Sequence, residues 1–155
     1  MQACAAQTLA GWKLAATSIP GQRHIGVAGP MAGRLLANRA SPGGSELSLA
    51  GNLMRVAEPE FAFVLGRDLP PRAAPYAVPE VMGAVANLRL AIEVPDSRYR
   101  DFVHAGEAQL IADNACAHEL ILGPVVQADW RRLDLAAHRV QAEVVGRYVR
   151  EGSGA

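Results

Sequence analysis

The apolar stretch RVAEPEFAFVLGRDL, residues 55–69, constrains the fold more than any other segment of this 155-residue chain. Its aromatic and β-branched residues are typical of a strand, in which side chains alternate between two faces. Glu58 and Glu60 therefore share one face, and Phe61 points to the other. Pro59 lacks an amide hydrogen, which predicts an edge strand or a bulge. Two adjacent carboxylates repel each other unless water, a base or a cation neutralises them.

A third carboxylate occupies a similar position. In the segment LAIEV, residues 90–94, alternation places Glu93 on the face opposite the aliphatic side chains. Glu58, Glu60 and Glu93 would then supply the few oxygen ligands that a hard divalent cation such as Mg²⁺ or Mn²⁺ needs, with positions left for substrate. The alternative is a solvated face that carries an unfavourable charge pair. Spacing alone does not decide between these interpretations.

Composition sets Lys13 apart from the other basic residues. It is the single lysine among 15 basic residues, and the other fourteen are arginines. An amine can lose and regain a proton, whereas a guanidinium in a protein stays charged. Lys13 is therefore a candidate for proton transfer. The alternative is that a single lysine remains in this sequence by chance. The segment around it alternates as a strand, with Trp12 and Leu14 on one face and Lys13 on the other.

Length and charge limit the class of protein. A chain of 155 residues, 50% hydrophobic and 19% charged, predicts one soluble globular domain over residues 1–155. Fifteen acidic residues balance fifteen scattered basic ones, so neither nucleic acid nor membrane is expected as a partner, and a small molecule is. No apolar run is long enough to span a bilayer. Cys4 and Cys116 lack a disulfide framework and the start lacks an export signal, which predicts the cytoplasm.

The local patterns predict short strands with a few helices, and therefore an α+β fold. Glycine and proline spacing predicts a loop over residues 20–33, a turn at 41–45 and a stop at Gly123-Pro124. The predicted strands lie at residues 11–17, 46–50, 53–65, 90–94 and 118–122, with two more between 133 and 149. The predicted helices lie at residues 79–88 and 107–115.

Six segments, taken together, resemble one known family: GWKLAAT, HIGVAGPMAGRLL, RVAEPEFAFVLGRDLP, LAIEVPDSRYRDF, LIADNACAHELILGP and YVREGSGA. In this order they resemble the 2-keto-4-pentenoate (2-hydroxypenta-2,4-dienoate) hydratase branch of the fumarylacetoacetate hydrolase superfamily. The resemblance implies a mixed β-roll of the kind found in that superfamily's C-terminal domain, and a homo-oligomer. Relatives extend beyond both ends, so the β-roll is expected to be incomplete, with low stability or association through uncovered edges.

The resemblance also implies roles for particular residues. Glu58, Glu60 and Glu93 match the family's ligands for a divalent metal, Mg²⁺ or Mn²⁺, and Lys13 matches its active-site amine. Four further residues match segments beside that site, although a helix cap or a polar turn would look the same. They are Asp113 as a catalytic residue, with Asn114, Ser97 and Arg98 as substrate-binding residues.

The implied reaction is addition of water to a 2-hydroxy-2,4-dienoate or 2-oxo-alkenoate from aromatic-compound degradation. A 2-oxo acid can chelate a cation, and Lys13 can donate a proton or a hydrogen bond to the reacting substrate. Two other reactions of the superfamily stay open, those of a 2-oxo-3-hexenedioate decarboxylase and of an acylpyruvate hydrolase. A further alternative is a non-catalytic remnant that binds metal or a full-length homologue. The sequence departs from the family at Met31-Ala32, where an acidic residue is common, and at Cys116, where serine is.

Overall fold

The computed structural model describes residues 8–154, so Cys4 lies outside the described residues. Within that range the chain forms eight strands and three short α-helices. The strands are β1 (Leu9–Ala15), β2 (Met31–Leu36), β3 (Ala40–Pro42), β4 (Glu58–Leu65), β5 (Val85–Val94), β6 (Glu119–Val125), β7 (Arg139–Val144) and β8 (Tyr148–Ser153). The helices are α1 (Ile19–Ile25), α2 (Val78–Ala84) and α3 (Glu107–Ala112).

The strands form three separate sheets. β1 pairs with β2 and β7 with β8, both antiparallel, and the largest sheet has the strand order β3-β6-β5-β4. In that sheet β3 and β6 run parallel and the other pairs run antiparallel. A mixed sheet with a few short helices confirms the α+β fold. None of the described helices is both long and apolar enough to cross a membrane.

β4 lies at an edge of the four-stranded sheet, which explains its proline. Pro59 pairs with Ile92 in regular register, and the register shift in this pair of strands comes later, between Val64 and Leu65. The edge prediction is therefore confirmed and the bulge at Pro59 is wrong. An edge strand leaves alternate amide positions without a partner strand, so a proline there removes no ladder hydrogen bond.

Several predicted boundaries are wrong. The loop predicted over residues 20–33, within which short helical turns are allowed, contains the short helix α1 but ends early, because β2 begins at Met31. The helix begins after Ser18, whose side chain accepts from Gly21 N at 3.2 Å, and is followed by a left-handed Gly26. The helix predicted over residues 79–88 ends at Ala84, and β5 follows at once. β6 continues through Gly123-Pro124 instead of ending there.

The predicted strand at residues 46–50 is absent, and the strand predicted at 53–65 begins only at Glu58. Side chains of the next segment take the place of a ladder. Asn52 Nδ2 donates to Pro95 O at 3.0 Å, and Leu53 N donates to Asp96 Oδ1 at 2.8 Å. Side-chain hydrogen bonds of this kind compete with strand pairing. They fix residues 52–55 against the end of β5.

The alternation predicted for β1 is confirmed, but the apolar side faces outward. Trp12 and Leu14 are 54% and 63% exposed, whereas the Lys13 side chain is only 9% exposed. The inward side of β1 carries Lys13 and Ala15, so at Trp12, Lys13 and Leu14 the usual link between apolar and buried is reversed. Lys13 is consequently directed into the molecule.

Two small apolar clusters form the core. One contains Val85, Leu88 and Trp130, beside the middle of the large sheet. The other joins β2 to the region around α3, and its buried members are Val27, Met31, Leu110, Ala115 and Cys116. Four of these residues, Met31, Leu110, Ala115 and Cys116, line a cavity that is described below.

Candidate active site

The register of β4 and β5 brings the three predicted carboxylates together. Glu58 pairs directly with Glu93 across the two strands, and Glu60 lies two residues further along the same face of β4. One carboxylate oxygen from each residue can be chosen such that all three lie within 4.8 Å of one another. Cross-strand pairing thus gathers residues that are far apart in sequence into one oxygen-rich cluster.

Lys13 reaches this cluster from the other sheet. Its Nζ lies 3.1 Å from Glu93 Oε1 and 3.7 Å from Glu58 Oε2. The side chain is nearly buried, so both ion pairs are partly shielded from solvent. The residue that composition singled out therefore lies among the carboxylates predicted from strand alternation.

Two of the carboxylates, those of Glu93 and Glu60, ionise less readily than isolated glutamates. Burial raises the pKa of Glu93 to about 7 despite the opposing effect of Lys13, and Glu58 and Glu60 raise it further. Burial and the neighbouring Glu58 likewise raise the pKa of Glu60, again against Lys13. When all three are ionised, a single ammonium group faces them, so two negative charges remain uncompensated. A divalent cation would neutralise that excess.

The donor set fits such a cation. Glu93 is 2% exposed, yet its Oε1 has no hydrogen-bond partner of good geometry among the described residues. Among the described residues its close cationic neighbour is the Lys13 ammonium, 3.1 Å away, and a cation at the cluster would further compensate the charge of this buried carboxylate. Three carboxylate oxygens close together are also the ligand type that hard divalent ions prefer. The residues present therefore suit Mg²⁺ better than a soft metal, which would favour sulfur or imidazole.

A cavity of about 350 Å³ opens beside the cluster. Lys13, Glu58 and Glu60 lie in its wall, and His24 is the other basic side chain among the described lining residues. Much of the remaining wall is apolar, and its members include Met31, Met54, Val56, Phe102 and Leu110. A volume of this size suits a small organic molecule with a polar head and an apolar body.

Asp113, Ser97 and Arg98 also come together, but around a different space. The Asp113 carboxylate accepts from Ser97 Oγ at 2.6 Å, Arg98 N at 3.0 Å and Arg98 Nε at 2.5 Å. Burial opposes ionisation of Asp113, but these hydrogen bonds outweigh it and hold the pKa of the carboxyl below its ordinary value. The three residues line a second cavity, of about 260 Å³, and none of them lines the first. Their predicted catalytic and substrate-binding roles stay predictions.

The Asn114 side chain is occupied by the main chain of β2. Its Oδ1 accepts from Arg34 N at 2.7 Å, and its Nδ2 donates to Arg34 O at 3.0 Å. Asn114 also lines the second cavity rather than the first. Its Nδ2 also donates to Ala117 O at 3.4 Å, so the amide has three backbone hydrogen bonds, and its predicted contact with substrate also stays a prediction.

Residues that sequence reasoning did not place in the site include Ala115 and Cys116, which line the main cavity. They follow α3 in a 3₁₀ turn, Asn114–Cys116, in which all three residues have left-handed backbone angles. Burial raises the pKa of the Cys116 thiol, so this group is not an activated nucleophile. Asn114 tolerates a left-handed backbone well, but nothing in the residue types of Ala115 and Cys116 signals this conformation.

Comparison with known proteins gives matches over nearly the whole chain, although no protein-family model matches it. A 2-keto-4-pentenoate hydratase from Paraburkholderia phymatum is 33% identical over 156 residues, which is 99% of this chain and 57% of the relative. A 4-oxalocrotonate decarboxylase from a Pseudomonas species is 34% identical over 113 residues, or 73% of this chain and 43% of the relative. The chain thus spans about half the length of the curated relatives it matches.

One solved structure has a similar fold. It is 4-oxalocrotonate decarboxylase from Pseudomonas putida, complexed with magnesium and adipate. The TM-score is 0.77 at 23% identity, over 96% of this chain and 55% of that protein. The similarity establishes that the arrangement of strands and helices described above occurs in a protein of known structure.

Proposed function

Because this chain belongs to the 2-keto-4-pentenoate hydratase family of the fumarylacetoacetate hydrolase superfamily, we propose that it is a divalent-metal-dependent hydro-lyase. Its substrate would be a 2-hydroxy-2,4-dienoate or the tautomeric 2-oxo-alkenoate, to which it adds water. Since the chain covers about half of its curated relatives, this activity is an inference for the chain itself.

The observation that carries the proposal is the convergence of Lys13 with Glu58, Glu60 and Glu93 beside a small cavity. These groups come from two different sheets, so their proximity is not a consequence of one strand's alternation. A chance surface cluster would be open to solvent, whereas Glu93 and Lys13 are buried or nearly so. The proposal is further supported by the magnesium ion in the complex of similar fold.

The glutamates would hold the cation, Mg²⁺ by preference or Mn²⁺, which would supply a positive centre that binds and polarises a 2-oxo acid. Glu58 and Glu93 would also hold the Lys13 amine in place at the cavity, because both carboxylates lie within 4 Å of its Nζ. Lys13 would donate a proton or a hydrogen bond from Nζ as negative charge develops on the substrate. The apolar wall, including Phe102 and Leu110, would contact the hydrocarbon part of the substrate and limit access of bulk water.

Titration of the purified chain with Mg²⁺ and with Mn²⁺ tests the metal site. We expect saturable binding that Glu60→Ala weakens strongly, because one of three carboxylate ligands is lost. Equal binding by the chain and its Glu60→Ala variant would remove the metal site from the proposal. Loss of dienoate absorbance then tests the reaction, and Lys13→Arg tests the amine, because a guanidinium keeps the positive charge but does not give up a proton as an amine can.

Decarboxylation is the second candidate, because a decarboxylase relative matches at an identity similar to that of the hydratase. A 2-oxo acid bound to a cation on the same three glutamates could lose carbon dioxide instead of gaining water. Incubation with a 2-oxo-3-hexenedioate and measurement of carbon dioxide release separates the two reactions. Carbon–carbon cleavage of an acylpyruvate, checked in parallel, covers the third chemistry of the superfamily.

We also propose that the protein is cytoplasmic and forms a homo-oligomer. Large apolar side chains are exposed on β1, including Trp12 and Leu14, and at the turn between β7 and β8. Contact with another copy would cover such surfaces. Sedimentation measures the oligomeric state directly, and a chain that stays monomeric at high concentration would contradict the homo-oligomer.

Mg²⁺ binding without turnover of any of the three substrates would favour a non-catalytic metal-binding remnant.

A further inference from the structure

Lys13 and Glu93 belong to sheets that share no strand. β1 and β2 pair with each other, whereas β5 lies inside the four-stranded sheet, and no described strand connects the two. No ladder hydrogen bond therefore fixes the distance between the amine and the carboxylate. Nζ nevertheless lies 3.1 Å from Oε1. The two sheets are joined by the short connection of residues 37–39 between β2 and β3, and further contacts are needed to fix their separation near Lys13.

The 3₁₀ turn Asn114–Cys116 lies between the sheets and is bonded to both. On the side of β2, the two hydrogen bonds between the Asn114 amide and the Arg34 backbone reproduce the donor and acceptor that a neighbouring strand would offer. Arg34 follows Gly33, and Gly33 is the residue that pairs with Lys13 in the register of β1 and β2. The Asn114 amide therefore binds β2 at Arg34, the residue next to the one that pairs with Lys13.

The approach of the turn to β2 is very close at Gly33. A Cβ atom on this residue would lie 2.2 Å from Asn114 O and 2.9 Å from the Ala117 Cβ. Only glycine leaves room for the carbonyl at this distance. The contact therefore places the backbone of the turn directly against Gly33, the residue that pairs with Lys13.

On its other side the turn is bonded to the segment that follows β5. Asp96 N donates to Cys116 O at 3.0 Å. The Asp113 carboxylate, immediately before the turn, accepts from Ser97 and Arg98. Asp96 is three residues beyond Glu93, so these bonds connect the turn to the end of the strand that carries the buried glutamate.

The backbone of the turn would not adopt this shape unaided. Asn114, Ala115 and Cys116 have φ angles of 56°, 51° and 60°. A left-handed conformation is unfavourable for residues with a Cβ, and a run of them persists only where the surroundings hold it. The Asn114 amide and the Asp113 carboxylate are the side chains that hold it on the two sides.

We propose that Asn114 is a positioning residue, which fixes the Lys13 amine against Glu93 by tying β2 to the end of β5. The geometric claim stands on the hydrogen bonds alone. Its consequence for catalysis rests on the hydratase function proposed above.

The single lysine makes the geometry measurable without any enzyme assay. An amine-acylating reagent modifies Lys13 and the amino terminus, and peptide mass spectrometry separates the two sites. Asn114→Gly removes the amide but still permits a left-handed backbone. Asn114→Asp keeps the shape and the acceptor for Arg34 N, but sets an oxygen against Arg34 O. Asn38→Gly is the matched control, because Asn38 is exposed and its side chain makes no hydrogen bond to any described residue.

Both Asn114 variants should acylate at Lys13 about five- to tenfold faster than the parent chain, the scale expected from the loss of one or two hydrogen bonds. Asn38→Gly should react at the parental rate. Circular dichroism and the thermal midpoint establish that the variants are folded at the labelling temperature. An unchanged Lys13 rate in folded Asn114→Gly would overturn the proposal, and if that variant does not fold, the rate in Asn114→Asp decides it in the same way.

Steady-state kinetics provide a second test. With a hydratable dienoate, Asn114→Gly should lower kcat and leave KM and Mg²⁺ affinity near the parental values, because the glutamates are not altered. A purely structural role would instead lower the thermal midpoint and metal affinity together. If the parent chain has no activity on any dienoate, the proposed function fails, while the labelling rates still decide the role of Asn114.

Discussion

Glu58 and Glu93 lie directly opposite each other on β4 and β5, and the Lys13 amine lies within 4 Å of both. Opposed like charges normally destabilise an antiparallel pair of strands. Here the ammonium group compensates part of the repulsion, and the rest marks a place where a cation would bind. The remaining repulsion lowers the stability of the metal-free fold, and local conflicts of this kind are common at functional sites.

The buried glutamate predicts an unusual pH dependence of stability. Burial raises the pKa of Glu93 from its ordinary 4.5 to about 7, so the folded chain binds a proton more tightly than the unfolded chain does. Stability should therefore be highest below pH 4.5 as far as this group is concerned, and should be lost as the pH rises to about 7, by at most about 3 kcal/mol.

Urea denaturation of the metal-free chain between pH 5 and about 8 measures this effect. Glu93→Gln should remove most of the slope, because glutamine does not ionise. Saturating Mg²⁺ should reverse the trend in the parent chain, since a cation favours the ionised carboxylate. If the unfolding free energy of the metal-free parent chain depends on pH in the same way as that of Glu93→Gln, the prediction is wrong.

Asp113 should change the unfolding free energy with pH in the opposite direction to Glu93. Its pKa is held below its ordinary 3.8 by the hydrogen bonds from Ser97 and Arg98, against the effect of burial. The stability it contributes should be fully present above about pH 5 and should disappear as the pH falls through 3.8 and below. At neutral pH, Asp113→Asn should cost about 1–3 kcal/mol in unfolding free energy, because a buried carboxylate with several donors is replaced. Asp68→Asn, at an exposed position, should leave the unfolding free energy unchanged.

The convergence of the carboxylates was predictable because it depends on local rules. Strand alternation puts Glu58 and Glu60 on one face, and a single cross-strand pairing adds Glu93. Lys13 was identified from composition, but its burial was not, because alternation places Trp12 and Lys13 on opposite faces without telling which face is inside.

The turn that joins the sheets was not predictable from local patterns. Its left-handed residues include Ala115 and Cys116, which have no intrinsic preference for that conformation. It depends on hydrogen bonds from Asn114 to a residue 80 positions earlier in the chain. Long-range side-chain hydrogen bonds of the same kind, donated by Asn52 Nδ2 and accepted by Asp96 Oδ1, lie where the strand expected from residue 53 fails to begin.

Gly33→Ala should be strongly destabilising. The added Cβ would lie 2.2 Å from Asn114 O, so either β2 or the turn must move. We expect a loss of about 2–3 kcal/mol in unfolding free energy, as for other overpacked sites. Gly11→Ala on β1 is the control, since a Cβ there meets no described atom within 4 Å. Thermal and urea unfolding of both variants test this, and equal midpoints would contradict the close approach seen between Gly33 and Asn114.

Leu88 and Leu110 separate stability from site function. Each is 1% exposed, so truncation of either to alanine should cost about 2–5 kcal/mol through lost burial and a residual cavity. Leu110 packs in the cluster beneath the main cavity and lines it, whereas Leu88 packs with Val85 and Trp130 on the other side of the molecule's core. Under conditions where both variants stay folded, Leu110→Ala should therefore weaken binding of a 2-oxo acid in the presence of Mg²⁺, while Leu88→Ala should bind it as the parent chain does. Calorimetric titration of the two folded variants makes the comparison, and equal affinities would mean that the apolar floor at Leu110 does not contact the ligand.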